Sequence, residues 1–265
     1  MIGLIENLGV ACVFQLLSDE GIKALLDIIQ RESHRAGDPK ASRGNKKIIR
    51  GLYYSSKFIR DLQNCQELRD HFRRICGEEL VPHPSYSNSP QVNISFVGGT
   101  KGPVDHWHWD SVAYTGVILL SDMREMKGGD LEVARYKKPS QKLFLYVTIH
   151  KNCDNRCDKR KALEMLAHGQ APPTETIQYG KEGKMILAQG SEILHHVTPV
   201  ESDHVRISMI FAYAPANPFQ PQKTILDTMR KLDSKHKLGD YEYFREKCWQ
   251  VRNCLDHYVN TVEYS

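Results

Sequence analysis

The 265-residue chain has no apolar run near the roughly 18 residues needed to cross a bilayer; the longest are Val10–Leu17 and Ile207–Ala214. Met1–Leu17 holds Glu6 but no Lys or Arg, so the positive start of a secretory signal is missing and a cytoplasmic setting is expected. No charge sign dominates either. Against 32 Asp+Glu stand 36 Lys+Arg, and the resulting +4 is too slight for a nucleic-acid or membrane footprint. Cysteines number seven, odd and scattered, which fits reduced thiols rather than a disulfide frame. Cys153 and Cys157 would need a second pair at finger-like spacing to hold zinc, and none is present. There is no Gly-x-Gly-x-x-Gly after a strand, no phosphate loop and no Gly-x-Ser-x-Gly elbow, which removes the dinucleotide-binding, nucleotide-phosphate and serine-hydrolase classes. Spacing leaves a cysteine–histidine hydrolase open, but nothing marks any thiol as special.

What is there is the mix of a globular protein, 40% hydrophobic and 26% charged, without internal repeats or low-complexity stretches. Leu4–Leu17 reads as a first strand. Ser18-Asp19-Glu20 reads as a helix N-cap ahead of an apolar face at Ile22, Leu25, Leu26, Ile28 and Ile29. Arg35–Lys47, basic and rich in turn residues, reads as an exposed loop, and Phe58–Leu80 as one helix. After Pro82 the texture changes to short β-rich runs: Val92–Val97, Val112–Leu120, Gly129–Ala134, Leu143–Ile149, Thr176–Tyr179, Lys184–Leu187, Ile193–Val200 and Val205–Ala214. A helical insertion at Lys159–Ala167 interrupts them, and helical patterns return at Thr224–Leu232 and Tyr241–Tyr258. The expectation is a single domain spanning 1–265: a helical flank (1–89), a mainly β core with flanking helices (90–215) and a helical tail (216–265).

Twelve His residues carry the chemical information. His108-Trp109-Asp110 ends an extended segment, so the imidazole and carboxylate project to one face. Two-His-one-carboxylate sites with open positions mark non-haem Fe(II) oxygenases. The tripeptide alone is weak, because about one such spacing is expected by chance. Downstream stand His195-His196-Val197-Thr198-Pro199 and Arg206-Ile207-Ser208. A His on a late strand reaches the first pair only if the sheet folds back on itself, as a jelly roll does. Arg206 and Ser208 alternate onto one strand face, where a guanidinium fork beside a hydroxyl suits a carboxylate. His106 rivals His108 but lacks a carboxylate two residues on, and His196, facing away from His195, rivals it for the third position.

The ordered set His108-Trp109-Asp110, Gly128-Gly129-Asp130-Leu131, His195-x-Val197-x-Pro199 and Arg206-x-Ser208 resembles the Fe(II)/2-oxoglutarate-dependent dioxygenases, specifically the prolyl 4-hydroxylase-like branch. The resemblance covers roughly Val92–Ala214 and implies a double-stranded β-helix, the jelly-roll or cupin-like core. It implies Fe(II) held by His108, Asp110 and His195, with 2-oxoglutarate and O2 as cosubstrates. Arg206 and Ser208 would grip the distal carboxylate, with Asn93 as a further contact; where the family usually has Tyr on that strand, this chain has Ser95. Tyr114 and Arg135 are the candidate substrate contacts, while Trp107 and Trp109 read as core.

The implied reaction is oxidative decarboxylation to succinate and CO2, coupled to attack on an unactivated C–H bond of a small molecule, an amino acid or natural-product intermediate. Hydroxylation is the usual end, with desaturation or ring closure as variants. In relatives that halogenate, a small residue at the Asp110 position leaves room for chloride; this chain keeps its carboxylate. A peptide or protein substrate is the second expectation. A cupin-like metal protein without O2 chemistry is the third, and it leaves Arg206-x-Ser208 without a purpose. Oxidases that use the same ligands without 2-oxoglutarate also stay open.

Overall fold

The computed structural model describes residues 13–38, 44, 46–83, 86, 89–96, 102–134, 162, 164–216, 245, 248–249, 251–252 and 255. A two-residue strand, β1 (Phe14–Gln15), leads into α1 (Asp19–Arg31). The Ser18 hydroxyl caps α1 by accepting from the Gly21 N–H at 3.2 Å, with Asp19 and Glu20 at the positive end of the helix dipole. Ile22, Leu25, Ile28 and Ile29 form its buried stripe.

Next come β2 (Lys47–Ile49), α2 (Leu52–Ser55), α3 (Lys57–Asn64) and α4 (Gln66–Cys76). The single helix expected over Phe58–Leu80 is therefore two. Cys65, at φ −55° and ψ 122°, leaves the helical region, while the Asn64 side chain turns back to donate to the Arg60 carbonyl. Gly77, at φ 71°, ends α4 in the left-handed conformation that favours glycine. Leu80 then belongs to β3 (Leu80–Pro82), drawn out of the helix by pairing with the last strand.

The remaining strands are β4 (Gln91–Ser95), β5 (Asp105–His108), β6 (Tyr114–Leu119), β7 (Leu131–Ala134), β8 (Thr174–Ile177), β9 (Lys184–Ala188), β10 (His195–Val197) and β11 (Arg206–Pro215). They build two open antiparallel sheets. The larger has the order β1-β9-β6-β11-β4-β2, with β3 also on β11; the smaller is β5-β10-β7-β8. From β4 to β11 the chain passes back and forth between the two, with β7 and β8 paired in the smaller sheet, which is the winding of a jelly roll. Strand β2 falls at the edge of the stretch expected as a loop, recruited by β4 through Ile48↔Asn93.

Strand periodicity sorts the larger sheet into two faces. Tyr114, Ile118, Val92, Met209, Phe211 and Tyr213 pack against the helices, with the Phe72 ring of α4 edge-on to Tyr213 at 5.0 Å. Leu119, Ile186 and Ala188 face the smaller sheet and meet Leu131, Val133 and Ile177. Residues 162 and 164–167 are helical, in keeping with the expected insertion. The Leu143–Ile149 run, the Cys153/Cys157 pair and Thr224–Leu232 lie outside the described residues, as does most of Tyr241–Tyr258. No described helix is long and apolar enough to cross a membrane.

Phe72 ties the helical layer to β11, the strand that carries Arg206. Phe72→Ala is expected to cost about 3–5 kcal/mol, read as a lower denaturant midpoint with an unchanged slope.

Candidate metal centre

Antiparallel pairing sets His195, at the start of β10, directly across from His108, at the end of β5. Cross-strand partners project to the same side, and the two rings lie 4.3 Å apart between centroids. Asp110 follows on the turn after β5, where its N–H donates to the Gly190 carbonyl at 2.9 Å. Its Oδ1 stands 3.3 Å from His108 Nε2 and 3.7 Å from His195 Nε2. One ligand atom from each residue fits within 4.8 Å of the others.

The backbone chooses which ring nitrogens point inward. His108 Nδ1 donates to the His106 carbonyl at 2.6 Å and His195 Nδ1 to the Ile193 carbonyl at 3.1 Å. With both Nδ1 atoms engaged as donors, each Nε2 lone pair is left to converge on Asp110. Burial would raise the Asp110 carboxyl, but the positive charge that His195 and His108 carry when protonated, with the Thr115 hydroxyl, outweighs it and holds it well below the usual carboxylate range. Thr115 Oγ1 donates to Asp110 Oδ2 at 2.6 Å. Burial lowers the His195 imidazole despite the nearby Asp110, favouring the neutral form that a metal needs. Two neutral imidazoles and one carboxylate are the facial donor set suited to Fe(II) with open positions, so the residues present fit that metal.

His106 and His196 stay outside this cluster. The His106 side chain is exposed. His196 turns to the opposite face of β10, stacks on Trp107 at 3.9 Å and hydrogen-bonds Glu132 at 2.7 Å. Trp109, between two ligands in sequence, packs with Ala134, Ala162 and Leu194.

Arg206 opens β11 and is 3% exposed. Its Nε donates to the Gly129 carbonyl at 2.8 Å and its Nη1 to Ser208 Oγ at 3.1 Å. The Gly128-Gly129 turn makes this approach possible. A Cβ on Gly129, at φ +73°, would lie 2.9 Å from Arg206 Cδ, and one on Gly128 would lie 2.0 Å from the Pro199 carbonyl oxygen. Register places Ser95 opposite Arg206, and Asn93 and Leu119 opposite Ser208, all on the face toward the smaller sheet. Asn93 Oδ1 accepts from the Gln91 side chain at 2.7 Å. Among the described residues no carboxylate lies within ion-pair distance of Arg206. Burial weighs against its charge, with Tyr179 and more distant Asp130 and Asp105 opposing that effect. A buried cation of this kind is suited to an incoming anion.

Tyr114 is not brought to the metal cluster. It occupies the helix-facing side of β6, opposite to Thr115, and its hydroxyl donates to Glu78 and accepts from Gln189 at 3.3 Å. Arg135 lies outside the described residues. The sequence reading missed Thr115 and Gly190. A Cβ on Gly190 would stand 2.1 Å from Asp110 Oδ2, so this position must be glycine for the carboxylate to sit as it does. The only local signal for Gly190 was a glycine ahead of a strand, and Thr115 had none.

Gly190→Ala is expected to push the Asp110 carboxylate aside and weaken Fe(II) or Ni(II) binding by roughly 10–100-fold in an anaerobic titration. His196→Ala should leave metal affinity unchanged; equal losses in both would separate the cluster from metal binding.

The halogenase D family model matches residues 40–233, well over half of the chain. No curated protein matches it by sequence. Among solved structures, the non-haem α-ketoglutarate-dependent carbocyclase SnoK from nogalamycin biosynthesis is similar at TM-score 0.57 and 13% identity, covering 81% of this chain and 82% of that one. The α-ketoglutarate-dependent epimerase SnoN from the same biosynthesis has TM-score 0.55 and 13% identity, covering 81% of both chains. HygX from Streptomyces hygroscopicus, crystallised with nickel, 2-oxoglutarate and hygromycin B, has TM-score 0.54 and 11% identity, covering 79% and 84%. SnoN has also been crystallised with Fe3+ and α-ketoglutarate. Because the matched stretch holds the three converging ligands and the buried arginine alike, and its fold is that of the iron- and 2-oxoglutarate-dependent oxygenases, the chain belongs to the halogenase D family.

Proposed function

We propose that the protein is an Fe(II)- and 2-oxoglutarate-dependent oxygenase that oxidises an unactivated C–H bond of a small molecule, an amino acid or natural-product intermediate. One observation carries this reading: a two-His-one-carboxylate cluster shares the space between the sheets with a buried arginine that has no acidic partner among the described residues. When bound, the metal and cosubstrate supply oxidative decarboxylation and the oxidation of the substrate C–H bond. The protein's part is positional. His108, Asp110 and His195 would hold the metal, their rings fixed by backbone carbonyls and the carboxylate by Thr115. Arg206 and Ser208 would take the far carboxylate of the keto acid, which fixes how the cosubstrate lies relative to the metal.

A small-molecule substrate is supported by SnoK, SnoN and HygX, two of them named for nogalamycin biosynthesis and one crystallised with hygromycin B. Despite the family's name, hydroxylation or a related oxidation fits this chain better than halogenation. Asp110 lies close to both imidazoles and is clasped by Thr115 and Gly190, filling the position that a halide would need.

Anaerobic addition of Fe(II) and 2-oxoglutarate is expected to produce the weak visible charge-transfer band of the chelate, and an unchanged spectrum would overturn the reading. His195→Ala should abolish the band. Arg206→Ala should weaken 2-oxoglutarate by about 2–5 kcal/mol, more than 10-fold, while sparing the metal. Succinate release across a library of amino acids and biosynthetic intermediates would identify the substrate. With excess chloride, mass spectrometry should find oxygenated or desaturated product only, and Asp110→Gly should lose oxygenation; a chlorinated wild-type product would reverse the assignment of reaction.

A further inference from the structure

We propose that Tyr179 and Ser95 complete the receptor for the distal carboxylate of the keto acid, giving it four donors from three segments together with Arg206 and Ser208 on β11. The inference rests on the cosubstrate reading above and deepens it. Ser95 is 1% exposed and stands directly across the sheet from Arg206, on the same face. Its hydroxyl has no hydrogen-bond partner among the described residues. Tyr179, two residues past β8 and 4% exposed, packs in the core between the sheets with Leu119 and Leu131. Leu119 is the register partner of Ser208, and Leu131 lies two residues beyond Gly129, whose carbonyl holds Arg206. The Tyr179 phenol is therefore walled in by the same two elements that frame the guanidinium, and it too is without a hydrogen-bond partner among the described residues.

Two buried hydroxyls left unsatisfied beside a buried cation lacking an acid are explained together by one group. Each orphan costs on the order of 1–3 kcal/mol when left unmade, so two between the same sheets, on the face that carries Arg206, call for an acceptor. A carboxylate accepts from all of them at once: its two oxygens offer about four lone-pair sites, against a guanidinium, a phenol and two serine hydroxyls. Burial pushes the Tyr179 phenol up in pKa, against the neighbouring Arg206, so it stays protonated as a donor. Ser208 already accepts from Arg206, which leaves its own proton free to donate onward. Such a receptor reads the charge at the far end of the cosubstrate, discriminating a dicarboxylic keto acid from one with an alkyl end.

The test is anaerobic binding to the Fe(II)-loaded full-length protein, followed by the charge-transfer band, with two probes: 2-oxoglutarate and 2-oxopentanoate, which chelates alike but lacks the distal carboxylate. Wild type should prefer 2-oxoglutarate. Tyr179→Phe should raise its Kd roughly 10-fold or more, and Ser95→Ala by several-fold, while 2-oxopentanoate affinity stays within twofold in both. The two variants are read independently, so loss of fold in one leaves the other to decide. Unchanged 2-oxoglutarate affinity in the folded variants, or equal loss for both acids, would overturn the assignment of these hydroxyls alone. A wild type that binds neither acid would overturn the cosubstrate reading and this inference with it.

Discussion

The antiparallel pairing of β10 between β5 and β7 is the constraint from which the site follows. It lays His195 across from His108 with both side chains on the inner face, and it turns His196 outward to Trp107 and Glu132. A slip of one residue would exchange the two histidines and turn His195 away from His108 and Asp110. The register is held from both sides: Leu131 and Val133 on β7 match Val197 and His195, and the Gly128-Gly129 turn locks against Pro199 just downstream. The metal ligands thus inherit their geometry from strand pairing and apolar packing, which exist whether or not an ion is bound.

Around that frame two glycines act as spacers for charged groups. Gly190 lets Asp110 sit close enough for Thr115 to grip one oxygen while the imidazoles flank the other. Gly129 lets Arg206 fold under the turn and bond its carbonyl. Arg206 is buried and Asp110 partly so, a costly state for a charge unless it is satisfied. Asp110 Oδ2 accepts from Thr115 within the chain. Arg206 has two neutral acceptors and no acid among the described residues, so part of its interaction energy remains available to an anion, stabilising the loaded protein by linkage.

The retained carboxylate gives this member of the halogenase D family a particular character. Asp110 is bonded through its backbone to Gly190 and through its side chain to Thr115, and it approaches both histidines. Removing it would take a ligand away and also leave the Thr115 hydroxyl and the Gly190 hollow without their partner. The position of the carboxylate is thus tied to the packing of Thr115 and Gly190.

Several features were legible in the linear chain because they depend on local chemistry. The Ser18 cap and the Ile22–Ile29 stripe follow from helical periodicity, the short strands from their alternation, and the His108, Asp110 and His195 cluster from side-chain type in a fixed order. What it could not supply was decided by contacts between distant segments. Cys65 splits a continuous helical pattern, and β2 and β3 form only because β4 and β11 offer edges to pair with. Tyr114 turns toward the helices rather than the metal because alternation on β6 gives the inner face to Thr115. Gly190 and Tyr179 gain meaning only where Asp110 and Arg206 come to lie. Residue type and short-range spacing thus marked the candidate donors, whereas which face each one shares, and with what, was set by strand register and close packing, which no local stretch of chain encodes.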